Sequence, residues 1–134
     1  KPASISELAG LRVAPRQKEA GTAGLFRDIA KQQGLSLSDI HFTDVARTED
    51  DAVQMVRHGD ADATFGLQSV AETYGMDFVP IVEECFDLLV DRKAWFDPPL
   101  QTLFDFCRSE TFLRRAASYG GYDLSRFGQV VWNS

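Results

Sequence analysis

The stretch Leu11–Ala30, LRVAPRQKEAGTAGLFRDIA, most constrains what this chain can fold into. It passes from a short apolar strand to an amphipathic helix across one polar loop. Leu11–Ala14 predicts the strand. Pro15 has no N–H to give a ladder and predicts its end. From Thr22 to Gln33 the apolar residues Leu25, Phe26, Ile29 and Ala30 share one helical face, and Gly34 predicts the stop. The first N–H groups of such a helix have no intrahelical acceptor. The turn before it is therefore a place where an anion or polar ligand can sit.

The pattern then repeats. Ile40–Val45 alternates enough to predict a second strand. Thr48 or Asp50 caps a helix over residues 49–59, with Ala52, Val53 and Val56 on one face and Met55 beside it. Gly59-Asp60 ends that helix, and Ala61–Phe65 predicts a third strand closed by Gly66. Strand–helix–strand–helix–strand order predicts an α/β fold: a βαβαβ core, a mostly parallel sheet with right-handed crossovers, and flanking helices.

Further along, Leu67–Tyr74 predicts a helix ended by Gly75. Phe78–Ile81 and Phe86–Val90 predict two more strands, separated by Glu83-Glu84. A loop at Trp95–Pro99 leads into Leu100–Arg108 and Glu110–Ser118, as one helix or two. Gly120-Gly121 breaks the chain, and the aromatic tail YDLSRFGQVVW is expected to pack down. At the other end, residues 2–9 predict a lead-in turn with Ser4 and Glu7 in capping-box spacing. No repeat, low-complexity segment or clear linker interrupts the chain. The expectation is a single domain over 1–134, with about 11–82 as the main lobe and 83–134 as a return segment.

With 134 residues and a net charge of −6, the chain is long enough for one core. It lacks the basic face that broad nucleic-acid contact requires. No run of about 18 apolar residues predicts a membrane span, and no signal peptide is visible. The expected location is cytoplasmic. A chain that opens at Lys1 reads as a fragment of a longer one. Cys85 and Cys107 form no metal pattern and are expected to be reduced and packed, with a disulfide left open.

Catalytic constellations are missing from the sequence. There is no G-x-S-x-G elbow, Walker A or G-x-G-x-x-G. His41 and His58 stand alone, and Glu83, Glu84 and Asp87 have no nucleophile to serve. The expectation is a protein that is not an enzyme and needs no cofactor. Phe104, Phe106, Phe112 and Trp95 suit a core or lobe contact. For Arg16, Gln17, Gly21 and Thr22 two readings stand: a ligand cradle at a helix start, or a plain N-cap beside a solvated arginine. For Thr48, Glu49, Asp50 and Asp51 the readings are a second polar wall of a cleft, or an acidic first turn stabilised by its own helix dipole. Consecutive carboxylates do not project to one side of a helix, which disfavours a metal site there.

Four segments in order resemble the type II periplasmic-binding-protein-like domain found in bacterial molybdate-linked transcriptional regulators and molybdopterin biosynthesis proteins. They are Arg16-Gln17 with Gly21-Thr22, similar to an Arg-Gln-x-x-Ser-Gly-Thr signature; Ala52-Val53 with Gly59-Asp60-Ala61-Asp62-Ala63 and Gly66; Asp77–Ile81 leading to Phe86-Asp87-Leu88; and Gly120–Asp123. The resemblance implies a two-lobed clamp around a ligand, of which this chain supplies one lobe and the return segment. It implies an oxyanion such as molybdate held by Arg16, Gln17, Ala20, Gly21 and Thr22, facing Thr48, Glu49, Asp50 and Gly66. The chain departs from the signature where Ala20 replaces Ser, Ala23 replaces a frequent Arg, Glu49-Asp50 replaces Thr-His, and Cys85-Phe86 replaces a basic–aromatic pair. Each change removes a donor or positive charge, or adds a negative one. Arg16 and Arg27 could compensate.

The expectation is a ligand-sensing domain for a small polar or anionic ligand; the resemblance alone implies an attached DNA-binding domain that reads it, and this chain itself is expected to make no nucleic-acid or membrane contact. The alternatives are an accessory domain of a molybdopterin biosynthesis protein, or a degenerate domain that forms a homodimer through an unpaired Phe86–Val90 edge.

Overall fold

The computed structural model describes residues 2–132 and divides them into two compact units, meeting between Glu83 and Glu84. The first holds a three-stranded parallel sheet in the order β2-β1-β3, with β1 at Arg12–Ala14, β2 at His41–Phe42 and β3 at Ala63–Thr64. Val13 is the centre of the register, paired with Phe42 on one side and Ala63 on the other. Helix α1, Gly21–Gln32, joins β1 to β2, and α2, Glu49–His58, joins β2 to β3. This is the expected parallel α/β fold.

Adjacent strand residues face opposite sides of a sheet, and Val13 and Ala14 do so here. Val13 belongs to the larger core with Phe26, Ile29, Ala30, Leu35 and Ile40. The 3-10 turn Ile5–Leu8 adds Ile5 and Leu8 to that core. Ala14 belongs to a second cluster with Ala46, Ala52 and Ala61. One face is thus built of large side chains under α1, the other almost wholly of alanine under α2. Small side chains let a helix backbone approach the sheet closely.

The strands are shorter than the apolar runs that predict them. Pro15 ends β1, and a sheet can be no longer than its central strand. Pairing resumes beyond Pro15 as one bridge between Arg16 and Ala46, and the Pro15 carbonyl accepts from Ala46 N–H at 2.9 Å. The opposite end of β1 is fastened by Arg12. Its guanidinium reaches Asp62 at 2.6 Å and the Gly59 and Asp60 carbonyls at 2.9 and 3.2 Å. The Arg12 backbone N–H also donates to Asp62, at 2.9 Å. These bonds hold the Asp62 carboxyl below its ordinary range, the side-chain bond from Arg12 being the largest cause.

After α3, Gln68–Thr73, the two strands expected at Phe78–Ile81 and Phe86–Val90 do not form. The outer edges of β2 and β3 are open, but each strand is only two residues long and offers a short template for pairing. Pro80 removes a donor, and Glu83, Glu84 and Asp87 favour solvent. Phe86 and Leu89 stand 79% and 99% exposed, which no paired, half-buried strand would leave them.

The second unit contains α4, Pro98–Arg108, and α5, Glu110–Ala117. They are two helices rather than one: Ser109 takes an extended conformation between them and its side chain accepts from Phe112 N–H. The start of α4 absorbs Pro98-Pro99, expected as loop, because proline suits the first helical positions. Phe104 is the buried centre, in contact with Trp95 at 4.8 Å and Phe127 at 6.0 Å between ring centroids. Part of the aromatic tail therefore packs, through Phe127, while Val130, Val131 and Trp132 stay exposed. The two cysteines are free; Cys107 is buried as expected, but Cys85 is exposed rather than packed.

Candidate ligand-binding site

In a parallel sheet the helices start from the edge where the strands end, and ligands bind in that crevice. Such a pocket exists in the first unit, with a volume of about 340 Å³. That is within the usual range for small-molecule sites. Ala14, Pro15, Arg16 and Lys18 come from the end of β1 and the loop after it. The first two turns of α1 supply Thr22, Ala23, Phe26 and Arg27. Phe42, Val45 and Phe65 come from the ends of β2 and β3. The floor is apolar, and the charged lining residues are all cations: Arg16, Lys18 and Arg27.

Helix α1 begins without help from side chains. Its N-cap is Ala20, whose side chain cannot accept a hydrogen bond, and no acidic residue lies in its first turn. The Ala20 carbonyl accepts from Ala23 and Gly24, while the Ala20 N–H donates to the Gln17 carbonyl at 2.9 Å. Among the described residues no backbone acceptor meets the N–H groups of Gly21 and Thr22. Gly21 is not at positive φ, and an added Cβ would meet nothing within 4 Å. The fold itself therefore makes no demand for glycine at this position.

Arg16 is the most enclosed of the three cations. Its side chain is 14% exposed, lies 3.5 Å from Glu49 and donates to the Arg47 carbonyl at 3.4 Å. Its Nε–H is buried without an acceptor. Lys18 and Arg27 are exposed, and no carboxylate lies within ion-pair distance of either among the described residues.

Of the residues singled out from sequence, Arg16 and Thr22 line this pocket, and Gln17, Ala20 and Gly21 build the turn beside it. Gly66 and residues 48–50 do not line it. Thr48 and Asp51 form a reciprocal capping box, each bond 3.0 Å. Asp50 accepts from the Tyr74 hydroxyl at 2.8 Å, tying α2 to α3 and pushing the Tyr74 phenol upward. Glu49 touches the site only through Arg16. Among the described residues no group of His, Cys, Asp and Glu could hold a metal ion.

Lys18, Phe42, Val45 and Phe65 line the pocket without belonging to any motif in the sequence. Val45 and Phe65 end predicted strands, which is the signal that could have found them; Phe42 falls inside the predicted Ile40–Val45 strand and Lys18 in the loop after β1.

A parallel sheet with a pocket at the strand ends, opening onto a bare helix start, is the frame of a solute-binding lobe. The family comparison agrees: residues 1–108 match the PBP superfamily domain, and the chain belongs to that superfamily. Such domains are in general binding domains rather than enzymes. The chain is 26% identical over 124 residues to the uncharacterized protein YvgK of Bacillus subtilis, covering 92% of this chain and 40% of that one. It is also 30% identical over 77 residues to an uncharacterized protein in the 5′ region of a 2Fe-2S ferredoxin gene of Clostridium pasteurianum, covering 57% of this chain and 68% of that one. The chain thus spans about two fifths of the length of the Bacillus relative. No solved structure gives a significant match. Among the described residues no helix is long and apolar enough to cross a membrane.

Proposed function

We propose that this chain is a sensor domain that binds a small anion at the start of α1 and serves as the effector domain of a bacterial transcriptional regulator. One observation carries the reading. A chain of net charge −6 gathers Arg16, Lys18 and Arg27 around a pocket with no carboxylate in its lining. A local field of that sign selects anions whatever the distant net charge. The free N–H groups of Gly21 and Thr22 add donors at the positive end of the helix dipole. Binding biases a conformational equilibrium that an attached DNA-binding domain reads. Molybdate is the ligand that the sequence resemblance implies.

The test is thermal unfolding of the chain with molybdate, tungstate, sulfate, phosphate and small carboxylates at constant ionic strength. A ligand of the native state raises the midpoint in a concentration-dependent way. The expected result is a rise with at least one anion that is lost in Lys18→Gln/Arg27→Gln. A flat response to every anion contradicts the proposal.

A second reading rests on the exposed apolar residues Phe86, Leu88 and Leu89 in the segment that forms no strand. Contiguous exposure of this kind marks contact surfaces, and a homodimer is one use for it. Equilibrium sedimentation decides: a dimer that Leu89→Asp converts to monomer supports this reading, and a wild-type monomer removes it.

A further inference from the structure

The wall of the pocket is unlike that of a site made only for an inorganic oxyanion. Val13, Phe26, Leu37, Phe42, Val45 and Phe65 line it. The Phe26 ring meets Phe42 edge-on with centroids 6.4 Å apart, and Phe65 at 5.5 Å. Phe42 and Val45 remain 43% and 58% exposed, although both are large, apolar and at the pocket. The space would hold about ten waters, several times the bulk of a five-atom oxyanion. Such an ion would leave the aromatic wall wet. An apolar body seated there would displace poorly held water and cover Phe42 and Val45.

We infer that the ligand is an organic monocarboxylate with an aromatic or branched aliphatic body. Lys18 and Arg27 meet its carboxylate, and Phe26, Phe42 and Phe65 enclose its body. This rests on the proposed anion site and names the class of anion. Arg16 is already engaged with Glu49 and the Arg47 carbonyl, so the two exposed cations carry the head group. Two cations match the two oxygens of one carboxylate.

Calorimetric titration of the chain tests it, with phenylacetate, 3-phenylpropionate and isovalerate as carboxylate probes. Phenylacetamide is the neutral control, and molybdate and sulfate are the inorganic anions. The expected result is that at least one carboxylate binds about tenfold or more tightly than phenylacetamide and than either inorganic anion. Lys18→Ala/Arg27→Ala weakens that carboxylate by a similar factor. Phe42→Ser weakens it too without changing molybdate or sulfate binding; both variants alter exposed residues, and circular dichroism checks their fold. Molybdate or sulfate binding with no carboxylate binding overturns the inference and leaves the anion site standing. Phenylacetamide binding as tightly as phenylacetate, or no probe binding at all, overturns both.

Discussion

Helices α1 and α2 start from the same edge of the same sheet, and their first turns are opposites. The start of α2 satisfies itself: Thr48 and Asp51 cap it, and Glu49, Asp50 and Asp51 oppose its dipole. The start of α1 has alanine at its N-cap, no acid in its first turn, and a largely apolar pocket whose charged lining residues are all cations. The one is finished as a structural element. The other leaves donors and positive potential for something outside the chain. A Gly-Thr or Thr-x-x-Asp at a helix start therefore says little by itself; what decides is whether the protein has already spent those donors.

The faces beneath the helices differ in the same sense, and this gives the largest expected effect. Phe26 joins the α1 core to the pocket wall, and it is buried. Phe26→Ala should cost about 3–5 kcal/mol in urea unfolding of the first unit. A cost below about 1 kcal/mol would mean that the α1 face is not the main core.

Making the two starts alike sharpens the contrast. Ala23→Asp gives α1 an acid in its first turn and a carboxylate in the pocket. It should leave stability unchanged or raise it by a few tenths of a kcal/mol, while anion affinity falls about tenfold or more. Conversely, Thr48→Ala removes the α2 cap. It should cost about 1 kcal/mol in denaturant unfolding and leave anion affinity unchanged. Equal loss of anion binding in both variants would break the distinction.

The smallest effect concerns the end of the sheet away from the pocket. Asp62 has a depressed folded-state pKa, so its pairing with Arg12 contributes stability above the ordinary carboxylate range. That contribution is lost as pH falls through the depressed folded value. Acid unfolding of Asp62→Asn should show a shallower loss below about pH 4 than wild type. Identical acid limbs would show that the exposed pair contributes nothing.

The βαβαβ order was legible because the punctuation is strong: Pro15 stops β1, and Gly34 and Gly59 take the positive φ that follows α1 and α2. Helix faces were legible for the same reason that helices bury them, by spacing. The Phe78–Ile81 and Phe86–Val90 strands were misread because alternation describes one segment, and a strand needs a second. The pocket was half legible. Arg16 and Thr22 lie within the stretch that announces the turn. Lys18, Phe42, Val45 and Phe65 reach it from the ends of three strands, and no local pattern reports where separate segments converge. The pairing of Glu49 with Arg16 spans the whole crossover through α1 and β2 and was invisible for that reason too.

The most direct test maps anion binding onto backbone amides. Amide shifts of the nitrogen-15-labelled chain would be followed during titration with phenylacetate and, separately, molybdate. Saturable shifts are expected at Gly21, Thr22 and Lys18, with residues 48–51 unmoved. Shifts centred on residues 48–51, or none in the first unit with either anion, would contradict anion binding at the start of α1.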